Sequence, residues 1–78
     1  MKDVTKWVEN VLADVLDRAP GGIDPSMRFA EDLHADSLDF LGCIAAIEEH
    51  FNVLIPDAAA AEFVTVGDLI LWLEAHRC

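Results

Sequence analysis

Basic residues are scarce in this chain of 78: five Lys and Arg stand against fifteen Asp and Glu, a formal charge of −10. A surface of that sign repels polyphosphate, so nucleic-acid binding is excluded and partners with basic surfaces are favoured. Cysteine is almost missing too. Cys43 and Cys78 make no disulfide framework, and no charged n-region followed by an apolar h-region opens the chain, so a reducing cytoplasm is the expected setting. No apolar run approaches the roughly 20 residues that cross a bilayer, which argues against membrane insertion.

Signatures of metal and nucleophilic chemistry are lacking in the same way. His34, His50 and His76, taken with the two cysteines, show neither C-x₂₋₄-C nor H-x₃₋₅-H spacing, so no metal site is expected. The D-x-[DN]-x-[DN]-G loop of an EF-hand is absent, as is the G-x-S-x-G elbow of a serine hydrolase. A chain of this length has room for one domain, residues 1–78, and buries only roughly 60% of its unfolded surface. Its core supplies about 3–5 kcal/mol, so deep enzyme pockets are hard to build and short, well-formed helices are needed.

What is present is apolar and periodic. Hydrophobic residues make up 54% of the chain and the acids are spread along it, the composition of a globular domain and not of a disordered acidic tail. Val4, Val8, Val11, Leu12 and Val15, flanked by Trp7 and Leu16, recur at helical spacing and predict a first helix over about residues 3–18, stopped by Pro20-Gly21-Gly22. A long ordered loop follows, anchored by Met27, Phe29 and Leu33.

The second helix is expected to start at Asp36-Ser37. Asp36 is able to accept from first-turn amides, and Asp39 three residues on completes a capping-box pattern. Phe40, Ile44, Ile47 and Phe51 form its core stripe, and Leu38, Leu41, Ala45 and Glu48, bordered by Gly42 and Glu49, form a second face with the character of a partner surface. Pro56-Asp57 opens a short alanine-rich turn, Ala58 to Ala61, with Asp57 as its expected cap. Thr65-Val66-Gly67-Asp68 repeats the capping-box pattern, and Val66, Leu69, Ile70 and Leu73 point inward from a last helix ending near His76. No strand pattern occurs. The fold class is all-α: a bundle of three main helices and one short one, with a long first loop. Trp7 and Trp72 read as core or flank residues.

The segment DLHADSLDFLGCIAAIEEHFNVLIPD, Asp32 to Asp57, resembles the acyl carrier protein family, and the resemblance extends over essentially the whole chain. Asp36-Ser37-Leu38 matches the family's D-S-L triplet. Specificity comes from its surroundings: Asp32-Leu33, Leu38-Asp39, Glu48-Glu49 with Phe51, and Ile55-Pro56-Asp57 followed by Thr65-Val66-Gly67-Asp68. The resemblance implies that Ser37 receives 4′-phosphopantetheine, covalently, from coenzyme A, and that the chain is a carrier and not an enzyme. The arm's thiol would hold acyl groups as thioesters in fatty acid, polyketide or specialised lipid synthesis.

The implied partners are a phosphopantetheinyl transferase and acyl-transfer and synthase enzymes with basic surfaces, meeting a monomer. Asp36, Leu38, Asp39, Leu41, Glu48 and Glu49 are the candidate contact residues, a rim whose charges set encounter rate and orientation. A phosphodiester at Ser37 would sit at the positive end of a helix dipole. No base is positioned to deprotonate Ser37, since only His34 is close in sequence; the transferase must supply both base and metal. Peptidyl and D-alanyl carriers share this chemistry, and an unmodified acidic interaction module is the alternative from another class.

Three departures bear on which carrier this is. His34 replaces a common glycine, Gly42 stands where fatty-acid carriers commonly have an acid, and Ala58, Ala59 and Ala61 replace a typically acidic region. A specialised carrier is the expectation. Gly42 mid-helix costs about 0.5–1 kcal/mol relative to alanine, and Gly42 with Cys43 is expected to alter how the second helix lines any cavity.

Overall fold

Apolar residues spaced three and four apart produce four helices, seen in a computed structural model that describes residues 4–19 and 21–76. They are α1 (Val4–Val15), α2 (Ser37–Phe51), α3 (Asp57–Ala60) and α4 (Val66–His76). Among the described residues no strand forms. The packed stripes are those the periodicity predicts: Val8 and Leu12 of α1, Ile47 of α2, and Val66, Leu69 and Leu73 of α4 lie fully out of solvent, joined by Cys43. Phe40 and Phe51 pack at the edge of this core.

α1 is shorter than its periodicity suggests. Asp17 adopts a left-handed conformation (φ 56°), and Arg18 N–H reaches back to the Ala13 carbonyl at 2.8 Å, a Schellman-type closure that ends the helix. Val15 is left exposed where a core position was expected, and Ala13 is buried instead. Pro20, the expected start of α1 at residue 3 and Cys78 lie outside the described residues.

The long loop is anchored by Phe29 and Leu33, with Met27 half-buried as expected, and by Ile23 and Ala35 as well. Three backbone hydrogen bonds strap it to the start of α4. Gly67 N–H donates to Pro25 O at 2.9 Å, Val66 N–H to Met27 O at 2.9 Å, and Phe29 N–H to Val64 O at 3.0 Å. The result is a single antiparallel bridge, Arg28 to Thr65. Gly67 permits the approach, since a Cβ there would lie 3.1 Å from the Pro25 carbonyl oxygen. At α3 the N-cap position falls on Pro56 and not on Asp57; it gives no side-chain hydrogen bond, and Asp57 occupies the first helical position.

Candidate functional site

The N-terminus of α2 is built by its own first residues. Asp36 takes an extended conformation (φ −81°, ψ −173°) and caps the helix. Its carboxylate accepts from Asp39 N–H at 2.9 Å, while Asp36 N–H donates to the Asp39 carboxylate at 3.4 Å. Ser37 is the first helical residue, and its side chain is exposed. Core groups on either side fix its position. Buried Ala35 donates through its N–H to Phe29 O at 2.8 Å, and the Phe29 and Phe40 rings meet edge to face at 5.1 Å and 81°.

Ser37 therefore projects from a rigid base, where the orphan first-turn amides of a helix favour an anionic group. The Asp36 carboxylate is engaged in capping. The donor set suits a phosphoester: one exposed hydroxyl, a helix N-terminus behind it, and room in front.

That room is an open groove of about 500 Å³, walled by Phe29, Phe40, Ala60 and Phe63, with Ser37 and Arg28 also on its lining. Arg28 pairs with Glu31 and, through Nε at 3.1 Å, with Asp32. The Asp32 carboxyl is held below the usual carboxylate range by Arg28, whose backbone N–H donates to it and whose guanidinium lies beside it. Neither Gly42 nor Cys43 lines this groove. Gly42 lies on the α2 surface near Val15, and Cys43 is wholly inside the core, where burial pushes its thiol up to about 11.

The candidate contact residues divide. Leu38 and Leu41 stand out from α2 at 79% and 59% exposure; Asp36, Asp39 and Glu49 are exposed with them. Glu48 is different: half-buried, its carboxylate accepts from Ile55 N–H at 2.7 Å and holds the turn after α2. Phe63, Val64 and Arg28 were not anticipated at the groove, because they lie in non-helical segments that carry no periodic signal. Trp72 is half-buried and stacks on His76 with centroids 4.1 Å apart, whereas Trp7 is exposed. Among the described residues no cluster of His, Cys, Asp and Glu is suited to hold a metal ion, and no helix is long and apolar enough to cross a membrane.

A short helical bundle with one serine raised at a capped helix start beside an apolar groove is the architecture of a carrier scaffold. Comparison with known proteins agrees. Residues 6–73 match the family described as "Phosphopantetheine attachment site". Curated relatives include the acyl carrier protein of Helicobacter pylori, 39% identical over 70 residues that cover 90% of each chain. That of Wolinella succinogenes is 37% identical over 70 residues, 90% of this chain and 92% of the relative.

Among solved structures, the holo acyl carrier protein of Nitrosomonas europaea superposes with a TM-score of 0.77 at 28% identity, covering 95% of both chains. A Mycobacterium tuberculosis chain reaches a TM-score of 0.87 at 23% identity, with 94% of this chain and 97% of that chain covered, a likeness of fold alone. The chain belongs to the acyl carrier protein family. It is a carrier and not an enzyme, and its cofactor is 4′-phosphopantetheine.

Proposed function

We propose that Ser37 bears the phosphopantetheine arm and that residues 1–78 act as one monomeric carrier domain in the cytoplasm. The observation that supports this most is the exposed Ser37 at the first position of α2, between the Asp36–Asp39 box and the groove. When bound, the arm supplies a thiol that holds acyl groups as thioesters. Ser37 contributes the oxygen of the phosphoester as the pyrophosphate bond of coenzyme A breaks and adenosine 3′,5′-bisphosphate leaves, and the hydroxyl proton goes to a base on the visiting transferase. Asp36 and Asp39 keep the serine in its first-turn position. Leu38 and Leu41 offer apolar contact to synthase and acyl-transfer enzymes, and Asp36, Asp39 and Glu49 steer basic surfaces toward it. Glu48 works mainly as the lock on Ile55.

The test is intact-mass measurement after incubation with a broad-specificity phosphopantetheinyl transferase, coenzyme A and magnesium. Gain of one arm, lost in Ser37→Ala, is the expected result; no gain would favour an unmodified interaction module.

The pathway reading is a specialised carrier, in place of bulk fatty-acid synthesis. Its support is the uncharged α3, Asp57 apart, and the missing acid at Gly42, which remove part of the charge that general synthases would meet. Turnover of the loaded protein by housekeeping fatty-acid enzymes at the rate of their own carrier would refute it.

A further inference from the structure

Bases are few in this chain, yet two of them converge on one residue of the long loop. Arg28 donates to the Asp32 carboxylate through its backbone N–H at 2.8 Å and through Nε at 3.1 Å. Arg18, from beyond the end of α1, donates through Nη2 to the Asp32 carbonyl at 3.4 Å. Asp32 N–H donates in turn to Arg28 O at 3.0 Å, and Leu33 N–H joins it there at 3.0 Å. The N–H, carbonyl and carboxylate of Asp32 are thus all engaged within the chain, although its side chain is 39% exposed.

These bonds close residues 28–33 into a compact loop, the kind whose two ends lie side by side. One further bond, from Ala35 N–H to Phe29 O at 2.8 Å, delivers the chain to the Asp36 cap. No helix supports this stretch, and its apolar anchors Phe29, Leu33 and Ala35 fix it to the core only at those points. Ser37 lies two residues past Ala35, a span of at most about 7 Å. Slack released between Arg28 and Asp32 therefore reaches the serine almost undiminished, and a partner that binds a slack loop must meet the entropy of ordering it.

We infer that Asp32 is a positioning residue for arm transfer: it closes the loop on Arg28 and so holds Ser37 where a transferase can take it. The inference rests on the reading of Ser37 as the attachment point. The competing role for an exposed acid, direct contact with a basic enzyme surface, ranks the variants differently. Contact needs the charge of Asp32 and has no need of Arg28, whereas positioning needs both sides of the bond.

The experiment measures the steady-state kinetics of arm transfer to the full chain, with coenzyme A, magnesium and a broad-specificity transferase. It compares the wild type, Asp32→Ala, Asp32→Asn and Arg28→Ala, alongside their melting temperatures and amide exchange. Asp32→Ala is expected to raise KM for the carrier roughly three- to tenfold, the range of one lost hydrogen-bonded pair, with kcat within about twofold. Arg28→Ala, which keeps its backbone N–H, should raise KM at least about twofold, and Asp32→Asn, which still offers that N–H an acceptor, should recover part of the loss. Exchange at the Ala35 amide should quicken more than at Val66, the sign of local and not global loosening. KM unchanged in Asp32→Ala and Arg28→Ala, whatever their melting temperatures, overturns the inference. So does an Asp32→Asn as impaired as Asp32→Ala beside an unimpaired Arg28→Ala, the mark of direct contact; both results leave the Ser37 reading standing. Should Asp32→Ala not fold, KM in Arg28→Ala decides. A wild type that accepts no arm overturns both readings.

Discussion

Two helix starts in this molecule carry the same four-residue device and differ in everything around it. At α4, Thr65 Oγ1 accepts from Asp68 N–H at 3.2 Å, and the Asp68 carboxylate accepts from both Thr65 N–H at 3.1 Å and Val64 N–H at 2.9 Å. Val66 and Gly67 add bonds to the long loop. At α2 the Asp36–Asp39 box is exposed, with one bond at 2.9 Å and its reciprocal at 3.4 Å, and the loop is tied to it by the single bond from Ala35 N–H to Phe29 O. One start is clamped into the fold; the other is held out to visitors. Identical local chemistry serves stability or presentation according to what the rest of the chain brings to it.

Substitutions test that contrast, beginning with the most drastic. Ser37→Ala should abolish arm addition while leaving stability within about 0.5 kcal/mol, because an exposed side chain outside the cap bonds is removed; intact mass and a urea titration read the two effects. Asp68→Ala should lower stability by about 1–2 kcal/mol, since two backbone donors lose their acceptor. In a chain of this size that is a fall of about 4–8 °C in melting temperature per kcal/mol. Asp36→Ala should cost about 0.5–1 kcal/mol, with the rate of arm addition falling as the first turn frays. A cost at Asp36 equal to that at Asp68 would erase the distinction between the two starts.

Acid provides a finer probe. Hydrogen bonds from Thr65 and Val64 hold the Asp68 carboxyl below its ordinary value of 3.8. Its contribution is therefore complete above about pH 5 and is lost as pH falls through the lower folded value. The stability gap between wild type and Asp68→Asn, followed by urea titration across pH, should shrink below pH 4. A gap independent of pH would show that the carboxylate's charge plays no part in the clamp.

Much of this was legible in the residues alone. The stripes of α1, α2 and α4 follow from spacing, and the capping pairs Asp36–Asp39 and Thr65–Asp68 mark both starts because their bonds are local. What escaped was what depends on distant partners. The strap between residues 25–29 and 64–67 is too short to leave an alternating pattern. The role of Glu48 exists only because Ile55 folds back to it. Val15 is exposed at the last position of α1, just ahead of the left-handed Asp17 that ends the helix, an end that composition does not announce. The groove beside Ser37 is assembled from a loop, a helix start and the segment after α3, so no single stretch encodes it.

The strap also bears on how quickly the molecule comes together. α1, α2 and α4 can each form from neighbours in sequence, but the bonded pairs 25–67, 27–66 and 29–64 lie roughly 40 positions apart, and closing such a loop must be met by entropy before any contact rewards it. The ordered platform beneath Ser37 is thus a late product of folding, and the amides of Phe29, Val66 and Gly67 should exchange with solvent only when the whole domain opens.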